Sequence, residues 1–262
     1  MELKYNHLEK LIKTKSLVLK KRNFGEYDRV LLLLTEDFGR IDVLAKGVRK
    51  PGSRLGGLSD SFLILQIEVE QRRGFDILKD AVLVEDYKML EKSLAGLGVG
   101  GLLMEVVELL SVFGQDDQTI FNLVCDYLDC YQRNRLNFDK REKIELFLAS
   151  FLMSVLALSG RLPIVLGCSI CGKDVVSDLL MTEYGVCCKK CVSGNLVFGE
   201  MNRGIYDMYC QVATKSCDEL INTESIYGAK EVMDYSFKLF DIYHKKELKS
   251  LDFLNEVYKN LS

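Results

Sequence analysis

Between about residues 14 and 85 the apolar residues come in short runs rich in Val, Leu and Ile: Ser16–Leu19, Val30–Thr35, Ile41–Ala45, Phe62–Glu70 and Phe75–Val84. Turn residues separate them, at Asn23–Gly25, Asp37–Gly39, a Lys50–Gly57 stretch with Pro51 and three glycines, and Arg72–Gly74. Gly39 and Gly74 can supply the positive φ of tight hairpins. Leu65, Ile67 and Val69 alternate with Gln66, Glu68 and Glu70, the period of a strand with one buried and one wet face. Five such strands in roughly 70 residues predict a small closed or partly open barrel, because closure removes exposed edges.

Beyond this region the period changes. A glycine cluster (Gly96, Gly98, Gly100, Gly101) reads as a flexible link between barrel and helix. Leu102, Leu103, Val106, Val107, Leu109 and Leu110 then fall at helix-face spacing, with Glu105 and Glu108 off that face. Ile120, Leu123, Val124, Tyr127, Leu128 and Tyr131 repeat the pattern, and Asp116-Asp117 reads as the cap of a helix starting near Thr119. A third, strongly apolar helix runs from Ile144 to Leu156, ends near Ser159–Gly160 and is stopped by Arg161–Pro163. From about Arg203 onward the pattern is helical again, with Val232, Tyr235, Leu239 and Tyr243 in register.

Composition excludes several classes. The longest apolar stretch, Phe147–Leu158, holds 12 residues and is interrupted by Ser150 and Ser154, whereas a membrane-spanning helix needs roughly 20. Met1–Leu11 mixes charges with no apolar run, so no signal peptide is expected and the chain reads as soluble and cytoplasmic. With 2 His in 262 residues, a His-based triad or His-rich metal site has almost nothing to work with.

Cysteine is the strongest chemical signal. Cys168-Ser-Ile-Cys171 and Cys188-Lys-Lys-Cys191 form two C-x2-C pairs with 16 residues between them. Two thiolates three apart on a tight turn reach one ion, and two such turns complete a tetrahedral zinc site with no open position, hence structural and not catalytic. Gly172 suits the first turn, and Lys189 and Lys190 offset part of the charge of four thiolates. Cys187 could compete with Cys188, but the symmetrical spacing favours Cys188. Cys125, Cys130, Cys210 and Cys217 fall in predicted helices and read as core thiols. Two nucleotide-binding outlines are set aside. Gly167-x4-Gly172-Lys173 is followed by Asp174 where Ser or Thr would ligate Mg²⁺, and Gly96-x-Gly98-x-x-Gly101 lacks a βαβ context.

Charge divides the chain. Residues 1–80 hold 16 Lys+Arg against 12 Asp+Glu although the whole chain is −3, and Lys13–Leu55 holds 11 against 5. Such a split suits a polyanion-facing N-terminal part, or cations that merely solvate a small β domain. The cations group at strand ends and loops: Lys20, Lys21 and Arg22; Arg29; Lys46, Arg49, Lys50 and Arg54; Arg72 and Arg73, with Phe24, Tyr27 and Phe38 interleaved. Phosphate contacts plus base stacking would let such a barrel hold a single strand. Lys46, Arg49, Lys50 and Arg54 read as the main phosphate-binding loop. Arg29, beside Glu26 and Asp28, reads equally as a DNA contact or an internal ion pair.

Taken together these residues resemble the bacterial RecO recombinational-repair family. The resemblance rests on Ser16-Leu-Val-Leu-Lys20, Gly25-Glu-Tyr-Asp-Arg29, Leu34-Thr-Glu-Asp-Phe-Gly39, Ala45-Lys-Gly-Val-Arg-Lys50 with Ser53-Arg54, and Gly160-Arg-Leu-Pro163 leading into Cys168-Ser-Ile-Cys171-Gly172. It implies an α+β chain: an N-terminal OB-fold over 1–85, a helical domain over 86–164 and 201–262, and a zinc-ribbon-like insertion at 165–200. It also implies a non-enzymatic mediator in the nucleoid-bearing cytoplasm that binds single- and double-stranded DNA, anneals complementary strands and works with RecR. The family engages the acidic C-terminal tail of the single-strand-binding protein and helps RecA load. Two other classes stay open on the residues alone: a protein–protein adaptor with an incidental basic excess, and a nucleic-acid-processing enzyme, for which no clear carboxylate cluster is visible.

Overall fold

The structure, a computed structural model, describes residues 10–113, 118–163, 166–174, 179–192, 194 and 197–261. The Asp116-Asp117 cap expected from the sequence lies outside the described residues. The chain divides into two compact units, residues 1–126 with 248–262, and residues 127–247.

The first unit is built on five strands: β1 (Leu11–Phe24), β2 (Asp28–Thr35), β3 (Gly39–Ala45), β4 (Leu63–Glu70) and β5 (Asp76–Asp86). They close in the order β1-β2-β3-β5-β4 with β4 paired back onto β1, an OB-fold barrel. All pairs are antiparallel except a short β3–β5 contact at Val43–Asp76 and Leu44–Ile77. β1 is 14 residues long, and the apolar run Ser16–Leu19 marks only its centre. Leu11–Leu17 pairs with β4 and Ser16–Phe24 with β2, so Ser16 and Leu17 pair on both sides; a register shift between Val18 and Lys20 bends the strand within its β2 ladder. Hydrophobicity misses the polar ends because the backbone ladder, not the side chains, makes them strand. Ile12, Val18, Leu31, Leu33, Val43, Leu65, Ile67, Val69 and Leu78 form one barrel core, each contributing about 1.5–3 kcal/mol by burial.

Helix α1 (Leu94–Leu110) follows and packs on the last helix, α7 (Lys249–Leu261). Here the sequence expectation is corrected: the four glycines are no flexible link but lie inside α1. Ser93 caps the helix by accepting from the Gly96 N–H at 2.9 Å. The glycines mark close approaches. A Cβ on Gly98 would stand 2.5 Å from Leu254 of α7, and one on Gly100 would stand 2.7 Å from the Phe62 ring. Glu105 of α1 accepts from the N–H groups of Lys249 (3.2 Å) and Ser250 (3.0 Å), capping α7 from its neighbour.

Helix α2 (Gln118–Arg133) carries the boundary between the units. In the second unit α3 (Arg141–Leu158), apolar almost all round, is the hub against which α4 (Arg203–Thr214), α5 (Cys217–Ile221) and α6 (Ala229–His244) pack. Tyr127, Tyr131, Phe138, Phe147 and Phe151 form an aromatic cluster beside it. The Tyr127 hydroxyl lies 2.6 Å from Ser150 Oγ and 2.9 Å from Ser154 Oγ, which accounts for the two serines in the longest apolar run. Cys130 of α2 and Cys217 of α5, expected as separate core thiols, are joined in a disulfide with Cα atoms 6.4 Å apart. No helix among the described residues is long and apolar enough to cross a membrane.

Candidate metal centre and nucleic-acid interface

Strands β6 (Leu179–Thr182), β7 (Gly185–Cys188) and β8 (Val197–Met201) form a small sheet in the order β7-β6-β8. It carries the second cysteine pair at the end of β7 and anchors the first, since Ser169 N–H donates to the Val186 carbonyl at 2.8 Å. Each pair sits on a tight turn closed by a backbone bond, Gly172 N–H to Cys168 O (2.8 Å) and Cys191 N–H to Cys188 O (2.9 Å). Gly167 and Gly172 take φ of 75° and 69°, so the glycines of the apparent phosphate loop serve the cysteine turn.

The four sulfurs of Cys168, Cys171, Cys188 and Cys191 all lie within 4.8 Å of one another. Four thiolates around a tetrahedral ion at Zn–S of about 2.3 Å stand about 3.8 Å apart, so a small contraction closes the shell. Burial raises the Cys168 thiol, but N–H groups of Cys171, Cys188 and Ile170 outweigh it and bring it to about 6. Cys191 is pushed up to about 12, chiefly by sharing hydrogen bonds with the Cys188 and Cys171 sulfurs. The quartet thus pairs a thiolate favoured at Cys168 with a Cys191 thiol that keeps its proton until a cation replaces it. Cys187 faces away from the quartet, with its Sγ 2.8 Å from Ser169 Oγ and 3.5 Å from Thr182 Oγ1. Strand alternation therefore selects Cys188, and the four residues could hold a metal ion.

The barrel's cations fall into two groups. Lys20 pairs with Glu108, Lys21 with Asp60 (2.6 Å), Arg54 with Asp80 (2.7 Å) and Arg72 with Glu70 (2.6 Å). Arg29 binds Asp60 (3.2 Å) and Ser59 Oγ (2.6 Å), partners far along the chain, and not its neighbours Glu26 and Asp28. Asp28 instead accepts from the Gly47 N–H at 2.7 Å and so holds the loop after β3. That loop carries the second group. The Arg49 N–H donates to the Tyr27 carbonyl (2.9 Å) and its Nη1 to the Glu26 carbonyl (3.0 Å), while the Lys50 ammonium lies 5.6 Å from the Tyr27 ring centroid. Lys46, Arg49, Lys50, Arg22 and Arg73 are exposed and form no ion pair with a described carboxylate. Tyr27 and Phe24 are exposed as well, whereas Phe38 packs on the barrel core.

Residues 9–87, a span that contains the five barrel strands, match the family described as "Recombination protein O N terminal". A "DNA repair protein RecO" of Trichodesmium erythraeum (strain IMS101) is 30% identical over 181 residues, a match spanning 68% of this chain and 63% of that protein. One from Desulforamulus reducens is 24% identical with 96% of each chain covered. The chain belongs to the RecO family. A RecO of Pelotomaculum thermopropionicum is 29% identical over 201 residues, 76% of this chain and 75% of that protein.

Within this RecO-family barrel the fold brings Arg49 and Lys50 together with Tyr27, leaves Lys46 exposed on the same loop, and sets Arg54 and Arg72 on carboxylates of β5 and β4. The cation-and-aromatic pattern of the sequence does not single out Arg40, Phe75 or Phe113. The available signal for Phe75 is its place beside Gly74 in the β4–β5 turn, one of the loops with which an OB-fold holds oligonucleotides.

Proposed function

We propose that this RecO-family chain is a recombination mediator that binds single- and double-stranded DNA, anneals complementary strands, and helps RecA load together with RecR and the acidic C-terminal tail of the single-strand-binding protein. The observation that carries this reading is the loop of uncompensated cations, Lys46, Arg49 and Lys50, held beside the exposed Tyr27 on an OB-fold. Cations of this kind screen phosphate repulsion between two strands while leaving base edges free to pair, and annealing makes or breaks no covalent bond. Arg22 and Arg73 extend the positive surface. Lys20, Lys21, Arg29, Arg54 and Arg72 contribute only by exchanging a carboxylate for a phosphate, so each adds less. The cysteine quartet holds a structural Zn²⁺ that fixes the β6–β8 sheet, and the protein works on the nucleoid in the cytoplasm.

The test is fluorescence-monitored annealing of complementary oligonucleotides in Mg²⁺ without nucleotide. Faster annealing with intact strands is expected. Alanine at Lys46, Arg49 and Lys50 should lower the salt slope of single-strand binding by about 2, at about 0.7 per lost contact. No acceleration, with binding insensitive to salt, would overturn the reading in favour of a protein–protein adaptor.

A further inference from the structure

The β4–β5 turn presents Phe75, whose ring meets that of Phe24 edge-to-face with centroids 5.8 Å apart. Both rings remain exposed, at 37% and 45%. Beside them a shallow cavity of about 500 Å³ is lined by Asp42 of β3, Gly74, Phe75, Asp76 and Phe113. Phe113 is 53% exposed yet firmly held. The Arg40 N–H donates to the Val112 carbonyl at 3.2 Å, the Arg40 guanidinium lies 4.1 Å from the Phe113 centroid, and its Nη1 also bonds the Glu108 carbonyl. The cavity thus combines two phenyl rings with two carboxylates. Asp76 is fixed by the Arg72 N–H on Oδ1 at 3.0 Å, which leaves its Oδ2 for a ligand.

We propose that this cavity is a base-reading subsite for single-stranded nucleic acid, selective for bases that offer it an exocyclic amine, such as cytosine and adenine, over thymine, which has none. The proposal rests on the reading of the barrel as DNA-binding. Exposed, immobilised phenyl rings are stacking surfaces for any base, each stacked base adding about tenfold or more to affinity. The carboxylates supply the discrimination. They accept from the N4 amine of cytosine or the N6 amine of adenine, whereas thymine turns its O4 acceptor toward them. They also repel phosphate, so a base enters the cavity while the sugar-phosphate chain passes over exposed cations such as Arg22, two residues before Phe24, and Arg73, which precedes Gly74.

The experiment compares binding of equal-length oligodeoxycytidylate and oligothymidylate to the intact chain by fluorescence anisotropy, at mildly alkaline pH where cytosine N3 is unprotonated. The cytidine strand should bind about 5- to 10-fold tighter. The paired substitution Asp42→Asn with Asp76→Asn should erase or reverse that ratio, because each amide keeps an acceptor and gains a donor for thymine O4. Phe75→Ala and Phe113→Ala, at exposed positions, should weaken both strands alike. Equal binding of the two strands, unchanged by the paired asparagines, overturns the subsite while DNA binding itself persists. Binding of neither strand would overturn the DNA-binding reading on which it rests.

Discussion

Gly98→Ala tests whether the glycines of α1 are there for close packing. An added Cβ at Gly98 would lie 2.5 Å from both Cγ and Cδ2 of Leu254 and 3.3 Å from Phe253 Cδ1. Carbon atoms rest at about 3.5–4.0 Å, so Leu254, 1% exposed, would have to move by about 1 Å with no free space around it. Overpacking of this kind costs about 1–3 kcal/mol. Against it stands the gain of about 1 kcal/mol from replacing Gly by Ala within a helix. Gly101→Ala is the control, because it carries the same propensity gain but meets only the Ser250 hydroxyl at 3.0 Å, which can rotate away. The propensity contribution cancels between them, so Gly98→Ala should be the less stable by about 1–3 kcal/mol. Because the chain has two compact units, the assay is hydrogen exchange resolved to peptides over residues 94–110 and 249–261, and not a single unfolding midpoint. In a Leu254→Ala background the penalty at Gly98 should disappear. Equal protection of α1 and α7 in the two alanine variants would refute the packing argument and return the glycines to a conformational role.

Three further outcomes follow from the geometry. Glu70, 6% exposed, is held by Lys79 (2.7 Å) and Arg72 (2.6 Å), which bring its carboxyl from 4.5 down to about 2. Since the folded value lies below the unfolded one, this stabilisation is fully present above about pH 4.5 and lost as pH falls through about 2. Wild type should therefore lose thermal stability more steeply than Glu70→Gln across that window, and parallel melting curves would contradict the ion pairs. The Cys130–Cys217 disulfide joins residues 87 apart, a loop for which chain entropy gives about 4–5 kcal/mol. Cys217→Ser, or reductant, should destabilise residues 127–247 by about that free energy and so lower their unfolding midpoint; identical midpoints with and without reductant would exclude the cross-link. Cys188→Ser should abolish zinc retention measured by mass spectrometry of the purified protein, and Cys187→Ser should keep one ion per chain. The reverse pattern would mean that the strand faces are misassigned.

What the sequence made legible is what local spacing encodes. The quartet was readable because two residues between thiols is itself the geometry of a turn, and the barrel core because Leu65, Ile67 and Val69 alternate with polar residues across one face. The same reasoning fails where the deciding partner is remote. The glycine cluster looks flexible in isolation; only Leu254, more than 150 residues away, and Phe62 show that a side chain there would collide. Cys130 and Cys217 meet because α2 and α5 both pack on α3 and come together there, which no spacing rule records.

The cations show this limit at its sharpest, because it bears on function. Lys46, Arg49, Lys50 and Arg54 lie within nine positions and look equivalent as a run. In the fold, the backbone carbonyls of Glu26 and Tyr27 take the hydrogen bonds of Arg49, and the Tyr27 ring faces Lys50, so their charges stay uncompensated. Arg54 meets Asp80 on β5. A carboxylate at 2.7 Å offsets most of the field a phosphate would feel, whereas a carbonyl or a ring orients a cation without neutralising it. On the proposed DNA-binding reading, phosphate affinity on this barrel is set by which cations found an acidic partner during folding, a property of the closed sheet and its loops that charge counting along the chain cannot supply.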